Sequence, residues 1–342
     1  MTTPIPMTPT APLKDLLQTN QLSPADIHLL LDLAETFKAN PMQHYGTLAG
    51  QTVVLYFAKP STRTRLSFET AVARLGGIPS TVGSQDLQIG RGETLEDTAK
   101  VVSRYAAAFV VRTYADDDIQ LMAQASSIPV VNALTDGHHP CQSLADLLTL
   151  RQHWGTFEGK KLAFVGVGNN VLHSLLEACA LAGVNIAAAT PPGYEPDPAI
   201  VARAQAIAAT TGATIELSHD PYTAVWDADA VYTDAWLSMG DSEATRVERF
   251  KALTPYRVTD GMLGDLAAPG AIFMHCLPAH RGEEVTAEVL DGPQSVVFDQ
   301  AENRLHTGQA VLYALVKGLV KGAHGAPTVA TPISTEVLLA AD

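Results

Sequence analysis

Five consecutive residues, Ser61-Thr62-Arg63-Thr64-Arg65, put hydroxyls and two guanidiniums side by side. They follow an apolar run, Val53 to Phe57, and open a pattern in which Phe68, Ala71, Val72 and Leu75 recur at helical spacing before Gly76-Gly77. A strand-to-helix junction leaves backbone N–H groups unsatisfied and points the positive end of the helix dipole outward. Hydroxyls and guanidiniums added at that point make a site for an anion, and the arginine fork favours phosphate. The plainer alternative is a capped helix start with a charged surface.

Other strand exits carry reactive side chains. Arg112 follows the apolar run 107–111, and His138-His139-Pro140-Cys141-Gln142 follows a short run at 130–132. Gly166-Val167-Gly168-Asn169-Asn170 follows 161–165, and Asp234 with Ser238-Met239-Gly240 follows 230–233. His275-Cys276-Leu277-Pro278 follows 271–274, and Glu302-Asn303-Arg304 follows a strand-like run at 295–298. Each has an ordinary reading as well. Arg112 alone reads as a surface residue, His139 as a satisfied loop histidine, Cys276 as a small buried apolar residue, and Asn169-Asn170 as a helix cap. The glycine loop lacks the third glycine of a dinucleotide fingerprint. His139, Cys141, His275 and Cys276 lack the C-x-x-C or H-x-x-x-H spacing of a metal site, so no metal is assigned.

The elements that must hold these residues alternate. Helical patterns at 22–37, 62–75, 93–105, 116–125 and 142–154 are interleaved with strands at 52–57, 107–112 and 130–132. A second series runs strand 161–165, helix 170–181, strand 184–190, helix 198–211 and strands 214–217, 230–233, 271–275 and 295–298. This is the pattern of an α/β protein with two parallel sheets flanked by helices. The expected division is a lead at 1–12, one domain at 13–150, a second at 151–304, a helix at 305–321 packing back on the first, and a mobile tail at 322–342. Ligands of such sheets bind at the carboxyl ends of the strands, so the site is expected in the cleft between the domains.

Composition narrows the function classes. A net charge of −14 over 342 residues argues against nucleic acid or an anionic membrane as partner, and makes a local cluster of arginines more informative. Three dispersed cysteines, Cys141, Cys179 and Cys276, do not form a disulfide framework and fit a reducing, cytoplasmic setting. The N-terminal dozen residues have neither the basic nor the apolar part of a targeting segment, and the uncharged stretch 178–190 is too short to cross a membrane.

Taken together, S-T-R-T-R at 61–65, H-P-C-Q at 139–142, D-x-x-x-S-M-G at 234–240 and H-C-L-P-A-H-R-G-E-E at 275–284 closely resemble the aspartate/ornithine carbamoyltransferase family, and the second pair resembles its ornithine branch. The resemblance runs from about Leu13 to Val320. It implies transfer of a carbamoyl group from carbamoyl phosphate to the side-chain amine of L-ornithine, giving citrulline and phosphate, without cofactor or metal, in arginine biosynthesis. It implies that Ser61, Thr62, Arg63 and Thr64 grip the phosphate, that Arg112 bridges phosphate and carbonyl, and that His139 donates to the carbonyl oxygen. It gives Gln142, Cys276 and Leu277 to the carbamoyl amide and Arg304 to the cationic cluster, from the second domain. Gln88 matches a family position that reaches a neighbouring subunit's phosphate, which implies a homotrimer. Asn170 and Met239 are implied for the ornithine carboxylate, and Asp234 and Ser238 for its α-ammonium. Cys276 is implied to lie near the reacting amine, with Asp234 helping to orient it. A carbamoyltransferase for lysine or putrescine, a nicotinamide dehydrogenase and a non-catalytic binding protein are the alternatives that stand beside this reading.

Overall fold

The structure is a computed structural model that describes residues 12–237 and 243–323. Its first half runs α1 (Pro24–Ala39), β1 (Thr52–Phe57), α2 (Thr62–Arg74), β2 (Ile78–Gly83), α3 (Leu95–Tyr105), β3 (Ala106–Arg112), α4 (Asp116–Ala125), β4 (Val130–Leu134) and α5 (Pro140–Trp154). The second half runs β5 (Lys161–Val165), α6 (Asn170–Ala182), β6 (Asn185–Ala189), α7 (Pro198–Thr211), β7 (Ile215–Ser218), α8 (Pro221–Val225) and β8 (Ala230–Thr233). It continues through α9 (Glu243–Leu253), β9 (Ile272–His275), α10 (Ala287–Leu290) and α11 (Val297–Val316).

Two parallel sheets result, ordered β2-β1-β3-β4 and β7-β6-β5-β8-β9. In each sheet the winding reverses beside its first strand. The chain leaves β1 on one side to reach β2 and returns to β3 on the other, and it treats β5 in the same way with β6 and β8. Helices leave opposite faces at such a reversal, so a crevice opens at the carboxyl ends of the two central strands. Ser61–Arg65 follow β1 and Arg112 ends β3, while Gly166–Asn170 follow β5 and Asp234 follows β8.

Local chemistry sets the helix starts. Ser61 caps α2 by accepting the Thr64 N–H at 3.3 Å, and Asn169 caps α6 by accepting the Val171 and Leu172 N–H groups at 3.1 and 3.2 Å. Pro140 stands at the first position of α5, where its missing N–H costs no helical bond. α5 is buried on every side from Pro140 to Leu150, because α1, α6 and α11 surround it. One apolar cluster therefore runs through both halves, with Leu144, Leu147 and Leu148 of α5 meeting Leu172 and Leu175 of α6 and Leu312 of α11.

Some expectations are corrected. The strand expected at 295–298 is instead the start of α11, preceded by a single parallel bridge from Ser295 to Phe273. That helix ends at Val316, not at 321, and packs on α1, α2 and α5. β2 had no counterpart in the sequence reading, because Pro79, Ser80, Thr81 and Gly83 hide an edge strand. Gly322 and Ala323 are tied down: their N–H groups donate to Asp26 Oδ2 at 3.0 Å and to the Gln21 carbonyl at 2.8 Å. Among the described residues no helix is long and apolar enough to cross a membrane.

Candidate active site

The crevice after β1 and β3 holds the anion half. Thr64, in the first turn of α2, is buried, and its hydroxyl accepts Arg304 Nη2 at 3.0 Å. The other arm of Arg304, Nη1, reaches Gln142 Oε1 on α5 at 2.5 Å. Arg304 thus ties α11 to the first turns of α2 and α5, from a helix packed on the first sheet's helices. Burial lowers the pKa values of Arg63, Arg112 and Arg304; repulsion from Arg304 and Arg63 adds to it at Arg112, which falls to about 10, and repulsion from Arg63 adds to it at Arg304, whereas Cys276 and Asp234 pull against it at Arg63. All three remain cationic near neutrality, so the crevice concentrates positive charge in an acidic protein. Arg112 Nε and Arg304 Nε are buried with no hydrogen-bond partner among the described residues. A dianion placed here supplies the missing acceptors and relieves the repulsion together.

Arg65 takes no part. It is exposed and its Nε donates to Glu69 Oε1 at 2.9 Å, so only one arginine of the pentapeptide belongs to the cluster. Ser61 spends its hydroxyl on the cap, and Thr62 is exposed at the first helical position. Gln88 precedes the short turn 89–91, with its side chain exposed and without a hydrogen bond among the described residues. Beside it a cavity of about 270 Å³ is lined by Tyr56, Ser84, Gln85, Leu87, Ile89 and Arg91. That cavity includes none of the cluster's arginines.

His139 sits at the cap of α5, buried, with its backbone N–H given to Ser174 Oγ at 2.7 Å. Burial first, and then Arg304, Arg112 and Arg63, push its pKa well below the usual histidine range. The ring is therefore a neutral imidazole, and its Nδ1 has no partner among the described residues. A neutral imidazole offers one N–H without placing a fourth cation in the crevice.

The second sheet supplies the other wall. Asp234 follows β8, and Cys276 follows β9. The Cys276 thiol donates to Asp234 Oδ1 at 2.9 Å, and Asn169 Nδ2 donates to Asp234 Oδ2 at 2.8 Å. Burial, then the Asp234 charge, raises the thiol pKa well above its ordinary value, so the sulfur is a neutral S–H and not a thiolate. Asn170 Nδ2 donates across the cleft to the Thr135 carbonyl at 2.6 Å. Leu277 has a left-handed backbone, φ 59°, and its N–H donates to His275 Nδ1 at 2.9 Å. Ser238 and Met239 lie outside the described residues.

The glycine loop after β5 is closed by the chain itself. A Cβ on Gly168 would lie 2.2 Å from the Pro196 nitrogen and 2.3 Å from the Glu195 carbonyl carbon. Gly168 is there for close approach of the 194–196 backbone, with its N–H bonded to the Tyr194 carbonyl at 2.8 Å. The segment that a dinucleotide would approach is covered, which removes the main support for a dehydrogenase. Asp234, His275 and Cys276 hold donor atoms near enough together to share an ion, but the thiol proton and Asp234 are already paired with each other.

Two family models match the chain: the carbamoyl-P binding domain of aspartate/ornithine carbamoyltransferase over residues 14–152, and its Asp/Orn binding domain over residues 158–315. The chain belongs to the aspartate/ornithine carbamoyltransferase family. Among curated members, the ornithine carbamoyltransferase of Acidothermus cellulolyticus is 49% identical over 315 residues, 92% of this chain and 100% of that one. That of Symbiobacterium thermophilum is 53% identical over 265 residues, 78% of this chain and 85% of the relative. Among solved structures, ornithine carbamoyltransferase from Pyrococcus furiosus superposes with a TM-score of 0.85 at 48% identity, covering 90% of this chain and 98% of that one. The carbamoyltransferase matches assign the first sheet to carbamoyl phosphate and the second to the amino-acid substrate, which agrees with where Arg63, Arg112 and Asp234 lie; Arg304 falls in the second match and reaches back to the first half.

Three residues of the assembled site escaped the sequence reading. Asn169 was read as a cap; it caps and also holds Asp234. Ser174 fixes the His139 backbone from the facing domain. Asp146 lies buried beneath Gln142. A charged residue set between Leu144 and Leu147-Leu148 was the available signal for it.

Proposed function

We propose that this chain is an ornithine carbamoyltransferase, which moves the carbamoyl group of carbamoyl phosphate to the side-chain amine of L-ornithine. The observation that carries the reading is the adjacency of the two halves. The hydrogen-bonded Cys276–Asp234 pair is close enough to Arg63 to act on its pKa, so an acyl phosphate held by the arginines lies next to an amine held by Asp234.

Arg63, Arg112 and Arg304, with the first-turn N–H groups of α2, hold the phosphate. His139 faces the carbonyl as an N–H donor. The neutral amine attacks the carbonyl carbon, and negative charge grows on the carbonyl oxygen, where Arg112 and His139 stabilise it. The carbon–oxygen bond to phosphate then breaks and the proton lost by the amine leaves on phosphate. Phosphate is the activated leaving group, so positioning and electrostatics suffice for the chemistry. Cys276 and Leu277 take the carbamoyl amide side. Gln142 joins them through the second lone pair of its Oε1, the first being taken by Arg304 Nη1. Asn170 and Met239 are assigned to the substrate carboxylate, and Asp234 with Ser238 to the α-ammonium. Asn170 must exchange its bond to the Thr135 carbonyl for the ligand. A free alkyl ammonium titrates near about 10.4, so a dry cleft that disfavours its charged form promotes the reactive amine.

Assembly and setting belong to the same proposal: a cytoplasmic homotrimer in which Gln88 reaches a neighbour's phosphate. The exposed position of Gln88 supports this, because it leaves the side chain free of its own cluster.

The test is citrulline formation from carbamoyl phosphate and ornithine, run beside Cys276→Ala and Asp234→Ala, with lysine and putrescine as competing amines. Citrulline from the native enzyme, with a large loss in Asp234→Ala, is expected. No citrulline, or faster turnover of lysine or putrescine, would overturn the assignment.

A further inference from the structure

Asp146 stands at a crossing of both halves. Its side chain is buried, inside α5, and Oδ1 accepts Gln142 Nε2 at 2.8 Å and Gln300 Nε2 at 2.7 Å. The Tyr232 hydroxyl, from β8 of the second sheet, approaches the same carboxylate at 3.3–3.4 Å. A carboxamide has one donor end and one acceptor end. When Asp146 takes the NH2 of both glutamines, each carbonyl oxygen is forced to point away from it. For Gln142 that oxygen meets Arg304 Nη1 at 2.5 Å, in the anion half. For Gln300 it meets the His275 backbone N–H at 2.9 Å, next to Cys276 in the amine half.

The symmetry of this arrangement has a physical consequence. If Asp146 had no acceptor, either glutamine would be free to flip. A flipped Gln142 presents NH2 to a guanidinium, and a flipped Gln300 presents NH2 to an N–H; both are donor against donor. The arginine and the 275–277 backbone would lose their partners. The buried polar atoms on both walls are thus oriented by a single carboxylate.

We propose that Asp146 is a positioning residue for carbamoyl transfer, setting Arg304 through Gln142 and the Cys276–Leu277 backbone through Gln300. This rests on the carbamoyltransferase reading. Burial raises the Asp146 pKa to about 7 against the pull of Gln142, Gln300, Arg304 and Tyr232.

The test compares Asp146→Asn, Asp146→Leu and Gln300→Leu in the full chain, measuring kcat and KM for each substrate together with the thermal midpoint. Asparagine keeps an acceptor oxygen for both glutamines and offers its NH2 to the Tyr232 oxygen. It is expected to retain kcat/KM within about tenfold for both substrates. Leucine removes the acceptor, and kcat/KM for both substrates is expected to fall by about 100-fold, the scale of an ångström's misplacement in an assembled site. Gln300→Leu leaves Asp146 and Gln142 paired, and keeps the result decisive if Asp146→Leu does not fold. It is expected to lower kcat and to raise the KM for both substrates, because the 275–277 backbone that Gln300 holds faces the carbamoyl amide as well as the amine. Equal losses in Asp146→Asn and Asp146→Leu would place the effect on charge and overturn the proposal. So would a Gln300→Leu enzyme with a lowered midpoint but native kcat and ornithine KM. If the native enzyme itself formed no citrulline, the carbamoyltransferase reading would fail first, and the variants would not be the cause.

Discussion

Asn169 does two jobs with one carboxamide, and they can be separated. Its oxygen accepts two N–H groups at the start of α6, and its nitrogen donates to Asp234 at 2.8 Å. Asn169→Ala removes both. Losing a side-chain cap costs roughly 1 kcal/mol of stability. Losing a hydrogen bond to a carboxylate costs about 1.5–3 kcal/mol, or about 10- to 150-fold if it is felt in the transition state. Asn169→Ser keeps a capping oxygen but is too short to reach Asp234. Native-like melting with a loss of about 10- to 150-fold in kcat/KM for ornithine is therefore expected from serine, while alanine shows that loss together with a lower midpoint. The KM for carbamoyl phosphate should stay within about twofold of native in both, since neither change touches the arginines or the α2 terminus. The assay is initial-rate citrulline formation against each substrate, beside thermal melts. If Asn169→Ser turned over ornithine at the native kcat/KM, the orientation of Asp234 would not be controlled from Asn169, and this account of the amine half would be wrong.

Arg63→Ala should abolish measurable citrulline formation while Arg65→Ala keeps activity within about twofold, because exposed ion pairs such as Arg65–Glu69 contribute little; comparable losses in the two variants would contradict the division drawn between them. His139→Ala should lower kcat by roughly 100- to 1,000-fold, the cost of one donor to a developing oxyanion. The His139 pKa is lowered, so its ring is neutral through pH 6–8 and kcat should show no histidine inflection there; an inflection that vanished with His139 would reverse that assignment. The reactive species is the deprotonated amine, so kcat/KM for ornithine should climb with pH, by about tenfold per unit between pH 7 and 9. A flat profile would remove amine deprotonation from the rate.

How much of this was legible in the sequence follows from what each signal depends on. The strand exits were readable because each apolar run ends abruptly in residues such as Arg112 or Asp234, and a parallel sheet brings such ends together. The run Ser295 to Phe298 misled, because short β-branched apolar stretches look alike in strands and buried helix starts. Only the continuation through Leu305, Val311 and Leu315 marks the helix. Arg65 and Arg63 are indistinguishable by type; they differ by helical phase, which turns Arg65 onto Glu69. Asp146 and Gln300 were invisible as partners because they meet only after α11 has packed on α5. Their long-range pairing leaves no local pattern to read.

The packing of α11 fixes an order of events during synthesis. This helix covers α1, α2 and α5 and brings Arg304 to Thr64, although it is made after both sheets. Close by, the Leu13 N–H donates to the Val320 carbonyl at 2.9 Å, and the Lys321 N–H donates to Asp26 Oδ1 at 2.9 Å. Chains leave the ribosome N-terminus first, and a domain ordinarily closes as soon as its own residues have emerged. Here the first-made half stays open along one flank, with its cationic crevice short of an arginine, until the second sheet and α11 have both emerged. A nascent or truncated chain that ends before α11 therefore carries an exposed apolar flank and an incomplete anion site, and the two halves mature as one unit.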